Sequence, residues 1–213
     1  IAGAGILRVC YYDSLTVGGN VIGLHSKGTF QGIYSGAYMT VGGNMDITKN
    51  TSASTFTFVS SGLINITGSF TLDNSTTGGV TFGTGSTADI TVGSNFVVTN
   101  TVNAAMNFGI SGATFSGLGD FTITTNSTAA LDIASGACDF DLTGNFTVSG
   151  TQAGSFTIND NTGTMDVQGG MSVSNINSHF YFGNSTNPTT INGQLTLRRP
   201  TDLNFHTYLR QIS

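Results

Sequence analysis

A ten-residue phrase, Phe140-Asp-Leu142-Thr-Gly144-Asn-Phe146-Thr-Val148-Ser149, returns with substitutions about every 25 residues along the chain. Taking the apolar residue after its Gly-Asn corner as an anchor, the anchors are Val21, Met45, Phe70, Phe96, Phe121, Phe146, Met171 and Leu195, spaced 24 to 26 residues apart. A fixed period of this length marks a stack of like units, because one such unit cannot bury its own apolar face.

Each unit carries three short period-2 segments. One apolar pair precedes the corner: Leu15/Val17, Met39/Val41, Ile64/Ile66, Ile90/Val92, Phe140/Leu142 and Met165/Val167. The anchor opens a second pair, as in Phe70/Leu72 and Phe121/Ile123, and a third follows about ten residues on, as in Val80/Phe82 and Leu131/Ile133. The residue between is usually Thr, Ser, Asn or Asp. That alternation predicts strands with one buried face. Helix is a poor competitor: there is no Glu, and Gly is 30 of 213 residues. A hairpin sandwich has no reason to keep one spacing through every unit. The fold class expected is all-β, a parallel three-sided β-solenoid of about eight coils, with a core roughly 38 Å long at one strand spacing per coil. It forms one domain over residues 1–213: a partial coil in 1–14, regular coils in 15–197, and a partial coil or docking segment in 198–213.

At the corners, Gly-Asn and like pairs suit the left-handed backbone of a sharp bend, and stacked Asn side chains would hydrogen-bond along the file. Gly117 stands where neighbouring units place Val or Leu, which predicts a local bulge with Leu118 moved inward.

Net charge is −5 and charged residues are 8%. Residues 51–197 contain neither Lys nor Arg, so nucleic-acid binding, which needs clustered cations, is disfavoured. Apolar runs are too short for a membrane span. His25 and Lys27 read as solvated turn residues. Cys138 is in phase with inward Phe140 and reads as a small buried side chain. Cys10 lies about five coils away, on the order of 24 Å, too far for a disulfide. The low-charge, Thr/Ser/Asn/Gly-rich composition points to an extracellular setting. With no initiator Met and no leader, the chain reads as a processed form or a piece of something longer.

Catalysis finds little support. His25, His179 and His206 fall in distant units. Asp139 and Asp141 are the close acidic pair, and Asp141 with Asp166 one coil on could bind Ca²⁺ through oxygen ligands or simply be solvated. No cofactor or resident metal is expected. Two outward files stand out instead: Thr71, Thr122, Thr147, Ser172 and Thr196, and beside them Thr99, Thr124, Ser149 and Ser174. Such a hydroxyl-and-methyl lattice suits a flat surface, ice or surface glycans; the plain alternative is β-favourable polar residues facing solvent. Six Asn-X-Ser/Thr sequons occur, with Asn74, Asn126 and Asn184 expected in accessible turns.

The ends are expected to be uncapped. Ile6, Leu7 and Val9 belong to the third side of a preceding coil, and Leu203 and Phe205 to the third side of the last, followed by Tyr208 and Leu209. Open solenoid ends present unpaired strand edges, so these residues are the candidate surfaces for head-to-tail association of the chain with itself, which gives a filament when it does not close.

The phrases Leu15-Thr-Val-Gly-Gly-Asn20, Met39-Thr-Val-Gly-Gly-Asn-Met-Asp-Ile47 and Leu142-Thr-Gly-Asn-Phe-Thr-Val148 resemble the repeats of large bacterial secreted β-solenoids, the adhesin, haemagglutinin-like and autotransporter-passenger type. The resemblance runs from about Leu15 to Leu197. It implies a cell-surface or extracellular role in adhesion or appendage building, with no active site to carry over. The expected function is therefore a non-enzymatic structural protein or adhesin segment. Ice binding or another flat-surface binding role comes second, and a carbohydrate-active β-helix enzyme using Asp141 third.

Overall fold

The computed structural model describes residues 6–25, 29–50, 53–109, 111–158, 162–174, 180–182, 187, 189–198 and 207–209. They form an all-β, three-sheet parallel β-solenoid. Among them no helix is long and apolar enough to cross a membrane. The first sheet has eight strands, from Ser14–Val17 to Thr189–Ile191. The second also has eight, from Val21–His25 to Leu195–Arg198. The third has nine, from Ile6–Cys10 to Thr207–Leu209.

The register follows the anchors. Phe70, Phe96, Phe121, Phe146 and Met171 are successive partners across the second sheet. Alternation does the rest: in Phe96–Asn100 the first, third and fifth residues are buried and the others half-exposed. Rings of the anchor file stack from coil to coil at 4.8, 5.1 and 5.3 Å between centroids. Phe82, Phe108 and Phe140 meet them edge-on from the other two sheets. Burial of these side chains supplies the main stabilising term, and the ring geometry adds a smaller increment. Cys138 is fully buried, Cys10 nearly so, and both are free thiols.

The Gly-Asn corner works differently from expectation. None of its glycines has a positive φ. They are small because the coil beneath is close: a Cβ on Gly43 would collide with Asn20 Oδ1, and one on Gly144 with the Gly119 carbonyl. Left-handed residues sit instead where the third sheet turns into the first, at Gly83 (φ 70°), Gly109 (71°) and Ala134 (52°). The expected amide ladder is present. Asn44 N–H donates to Asn20 Oδ1 at 2.8 Å, Ser69 N–H to Asn44 Oδ1 at 3.0 Å, and Gly170 N–H to Asn145 Oδ1 at 3.0 Å. Each side chain thus holds the backbone of the following coil. The bulge is also where alternation breaks. Phe115 pairs with Phe140, but the next partner of Leu142 is Leu118, and Gly117 has φ 66°.

Lys49 departs most from a simple reading. It follows Met45 and Ile47 on the inward phase, so it points into the coil and is 0% exposed. Its Nζ donates to Asn74 Oδ1 (3.3 Å), to the Gly78 carbonyl (3.1 Å) and to Thr76 Oγ1. Asn74 Nδ2 in turn donates to Asn100 Oδ1 at 2.8 Å, and Asn100 Nδ2 to the Ala104 carbonyl. Below the corner between the second and third sheets runs a buried polar spine, in which Lys49 and Asn74 each donate to the coil after and Asn100 to its own, as buried polar groups require.

Candidate functional site

Strand pairing brings the hydroxyl files together as the alternation implied. The partners Thr71, Val97, Thr122, Thr147, Ser172 and Thr196 form one outward row. Asp73, Thr99, Thr124 and Ser149 form the next, with Ser174 paired to Arg198 further along. Most of these side chains are half-exposed and Thr124 is exposed. Thr124 and Ser149 approach to 3.4 Å between hydroxyl oxygens. Towards the first coil the lattice changes to Ile22 and Leu24, which are 84% and 59% exposed.

Along one edge of this face lies a shallow groove of about 440 Å³. Thr122, Thr147, Ser172 and Thr196 form one wall and the corner residues Asp120, Asn145 and Gln194 the other. Asp120 Oδ1 accepts from both the backbone N–H (2.8 Å) and Nδ2 (3.1 Å) of Asn145. The groove therefore presents the Asp120 carboxylate, the Asn145 and Gln194 amides and a row of hydroxyl groups, a surface rich in hydrogen-bonding groups.

Two acidic residues of the first sheet, Asp139 and Asp166, make local bonds. Asp141 and Asp166 are register partners. Asp166 Oδ2 accepts from Gln168 Nε2 at 3.0 Å, and Asp139 Oδ1 from Thr164 Oγ1 at 2.7 Å. Among the described residues no three His, Cys, Asp or Glu side chains gather as metal ligands. Asp89, between Leu63 and Thr114 in register, was not singled out by the sequence; burial raises its carboxyl pKa, and its Oδ1 has no partner.

The sequons divide. Asn74, expected in an accessible turn, is 1% exposed within the strand Phe70–Asn74. The alternation through Phe70 and Leu72 carries it inward, where Lys49 and Asn100 hold it. Asn126 is exposed, on the long strand Phe121–Ser127 rather than in a turn, and its Oδ1 accepts from Thr151 N–H at 3.1 Å. Asn184 lies outside the described residues, as do Lys27, His179 and His206.

At the ends, the strand Ile6–Cys10 pairs with Thr29–Ile33 on the third sheet, as expected. Ile6 is 56% exposed, and Val9 packs against the core. At the other end the expectation shifts. The last strand of the third sheet is Thr207–Leu209, with Tyr208 in register with Tyr181. Leu203 and Phe205 precede it and lie outside the described residues. The arm from Leu195 to Thr207 is longer than the one from Met171 to Phe180, which moves the paired segment along the chain.

Comparison with protein-family models, with curated proteins and with solved structures finds no match to this chain.

Proposed function

We propose that the chain is a non-enzymatic, extracellular structural β-solenoid that extends by pairing coil edge against coil edge, as a filament subunit or as a segment of a surface adhesin. The observation that carries this reading is the parallel pairing of all three sheets. The outer edges of Ile6–Cys10, Ser14–Val17 and Val21–His25 have no strand partner among the described residues. A strand edge of this kind is a template for another coil, whether of the same chain or of a second copy. The test is electron microscopy and light scattering of the purified chain over a concentration series. Growing filaments with a continuous axial repeat support the reading; short rods of one mass at every concentration refute it.

A second reading is favoured by one feature, the register of Thr122 and Thr124 with Thr147 and Ser149, and of Thr147 with Ser172, on successive coils. On this reading the second sheet is a face for a flat, hydrogen-bonding surface such as ice or glycan. Thermal hysteresis that disappears in Thr122→Lys/Thr147→Lys, with the melting curve unchanged, would support it. Absence of hysteresis removes ice as the ligand.

A further inference from the structure

Four of the six tyrosines, Tyr11, Tyr12, Tyr34 and Tyr38, gather in the first two coils around the corner between the third and first sheets. The Tyr11 and Tyr34 rings stack 5.2 Å apart and 4° from parallel, and Tyr12 stands edge-on to Tyr11 at 4.1 Å. Tyr12 is 74% exposed and Tyr38 40%. Arg8 lies over this stack, its Cζ 4.6 Å from the Tyr11 ring centre and 5.6 Å from that of Tyr34. Its Nε donates to Gln31 Oε1 at 2.7 Å, which fixes the plane of the guanidinium. Asp13 at the same corner is turned to the backbone, accepting from Ser14 N–H at 2.7 Å.

This composition is unlike the hydroxyl-and-amide surface of the coils that follow. Tyr and Arg are the residue types that dominate binding energy at recognition surfaces, because they offer large rigid area with polar tips. The core does not need them, since the inward positions of these coils are taken by Phe30, Ile33 and Met39.

We propose that the corner of Arg8, Tyr11, Tyr12 and Tyr38 binds an anionic saccharide chain, one whose rings carry carboxylate or sulfate groups. A sugar ring has an apolar C–H face to lay against Tyr12 and hydroxyls to meet the phenol groups. The guanidinium of Arg8 meets the acid, in the geometry that makes Arg suited to planar anions. A convex corner suits an extended chain lying across it better than a helix needing a groove. Single-stranded nucleic acid also combines ring faces with anionic charge. The corner's single cation, Arg8, pairs with one acid group, so it suits a saccharide whose hydroxyls and ring faces supply the other contacts; oligothymidylate, whose affinity rests on many phosphate contacts, is the competing outcome of the test.

The experiment is calorimetric titration of the full chain with polygalacturonate and with a sulfated glycan. Neutral glucan, polyglutamate and an oligothymidylate serve as controls. Both variants, Tyr12→Ala and Arg8→Gln, alter exposed side chains, and a melting curve checks that each remains folded. Binding of either anionic glycan, weakened about tenfold in each variant, is expected; that corresponds to about 1.4 kcal/mol. The response to carboxylate against sulfate then identifies the acid. Failure of both glycans to bind, unchanged binding in either variant, or equal binding of any control overturns the proposal. These outcomes are independent of filament formation, which is read by microscopy.

Discussion

Lys49 Nζ lies 3.3 Å from Asn74 Oδ1 inside the coil, and neither residue is more than 1% exposed. An ammonium held away from water binds its proton less tightly, and burial lowers the Lys49 pKa from 10.5 to about 8. Between those two values the unfolded chain holds the proton that the folded chain has released. Stability therefore rises as pH rises through that window. The gain should be on the order of 2 kcal/mol. Denaturant titrations at pH 7.5 and 10 read it as the difference between the native chain and Lys49→Met, because the raised Cys138 thiol pKa lowers stability over the same range in both. Lys49→Met should lose this slope, whatever its stability at neutral pH.

Phe121 is in ring contact with Phe96, Phe108, Phe140 and Phe146. Removing it opens a cavity that coils above and below cannot close without breaking register. Phe121→Ala should cost about 3–5 kcal/mol. Phe121→Leu, which keeps most of the volume, should cost roughly 1–2 kcal/mol. Chemical denaturation measures both.

Asp120 shows what the corner ladder requires. Its Oδ1 serves Asn145, while its own N–H donates to Asn95 Oδ1 at 3.2 Å. An amide oxygen can accept in the same place, so Asp120→Asn should be close to neutral. Asp120→Ala, which leaves the Asn145 N–H to water, should cost about 1 kcal/mol. A pair of melting curves separates the two outcomes.

Burial, with the nearby Asp139 charge second, pushes the Cys138 thiol up to about 12. The thiolate is the reactive form. Cys138 should not take up iodoacetamide at pH 8 in the folded protein and should react in denaturant. Intact mass before and after treatment reads this directly.

Expression through a eukaryotic secretory route should attach glycan at Asn126 and leave Asn74 bare in the folded fraction. Asn126 is exposed, whereas Asn74 has its amide committed to Asn100. Peptide mapping after release of the glycan by amidase distinguishes the two sites.

The repeat made the coil legible because period-2 alternation and anchor spacing are both set by one geometry. The same holds at Gly117, where a lost apolar position became a register shift between Phe115 and Leu118. Lys49 was not legible. A lysine beside Asn50 resembles a solvated turn, and only the strand's continuation past Ile47 shows that it points inward. Asn74 was misplaced for the same reason: its polarity suggested a turn, while its phase put it in the core. The corner glycines were identified correctly but for a different cause, since close approach between coils is a property of the stack and not of one unit's backbone. The hydroxyl rows followed from phase alone. The tyrosine corner did not, because Tyr11 and Tyr12 precede the first full unit and Tyr34 belongs to the next.

The corner amides and the backbone pairs both run from each coil to the one after it, so the bonds between coils lie along the rod. A pull on the two ends of such a stack loads one layer of bonds at a time, and layers open singly, as a spring uncoils. Each opened layer releases about 25 residues, or ~85 Å of extended chain. Adding coils lengthens this rod without strengthening it: the force at which it yields is that of a single coil, and what grows with length is the distance over which it gives way before it breaks.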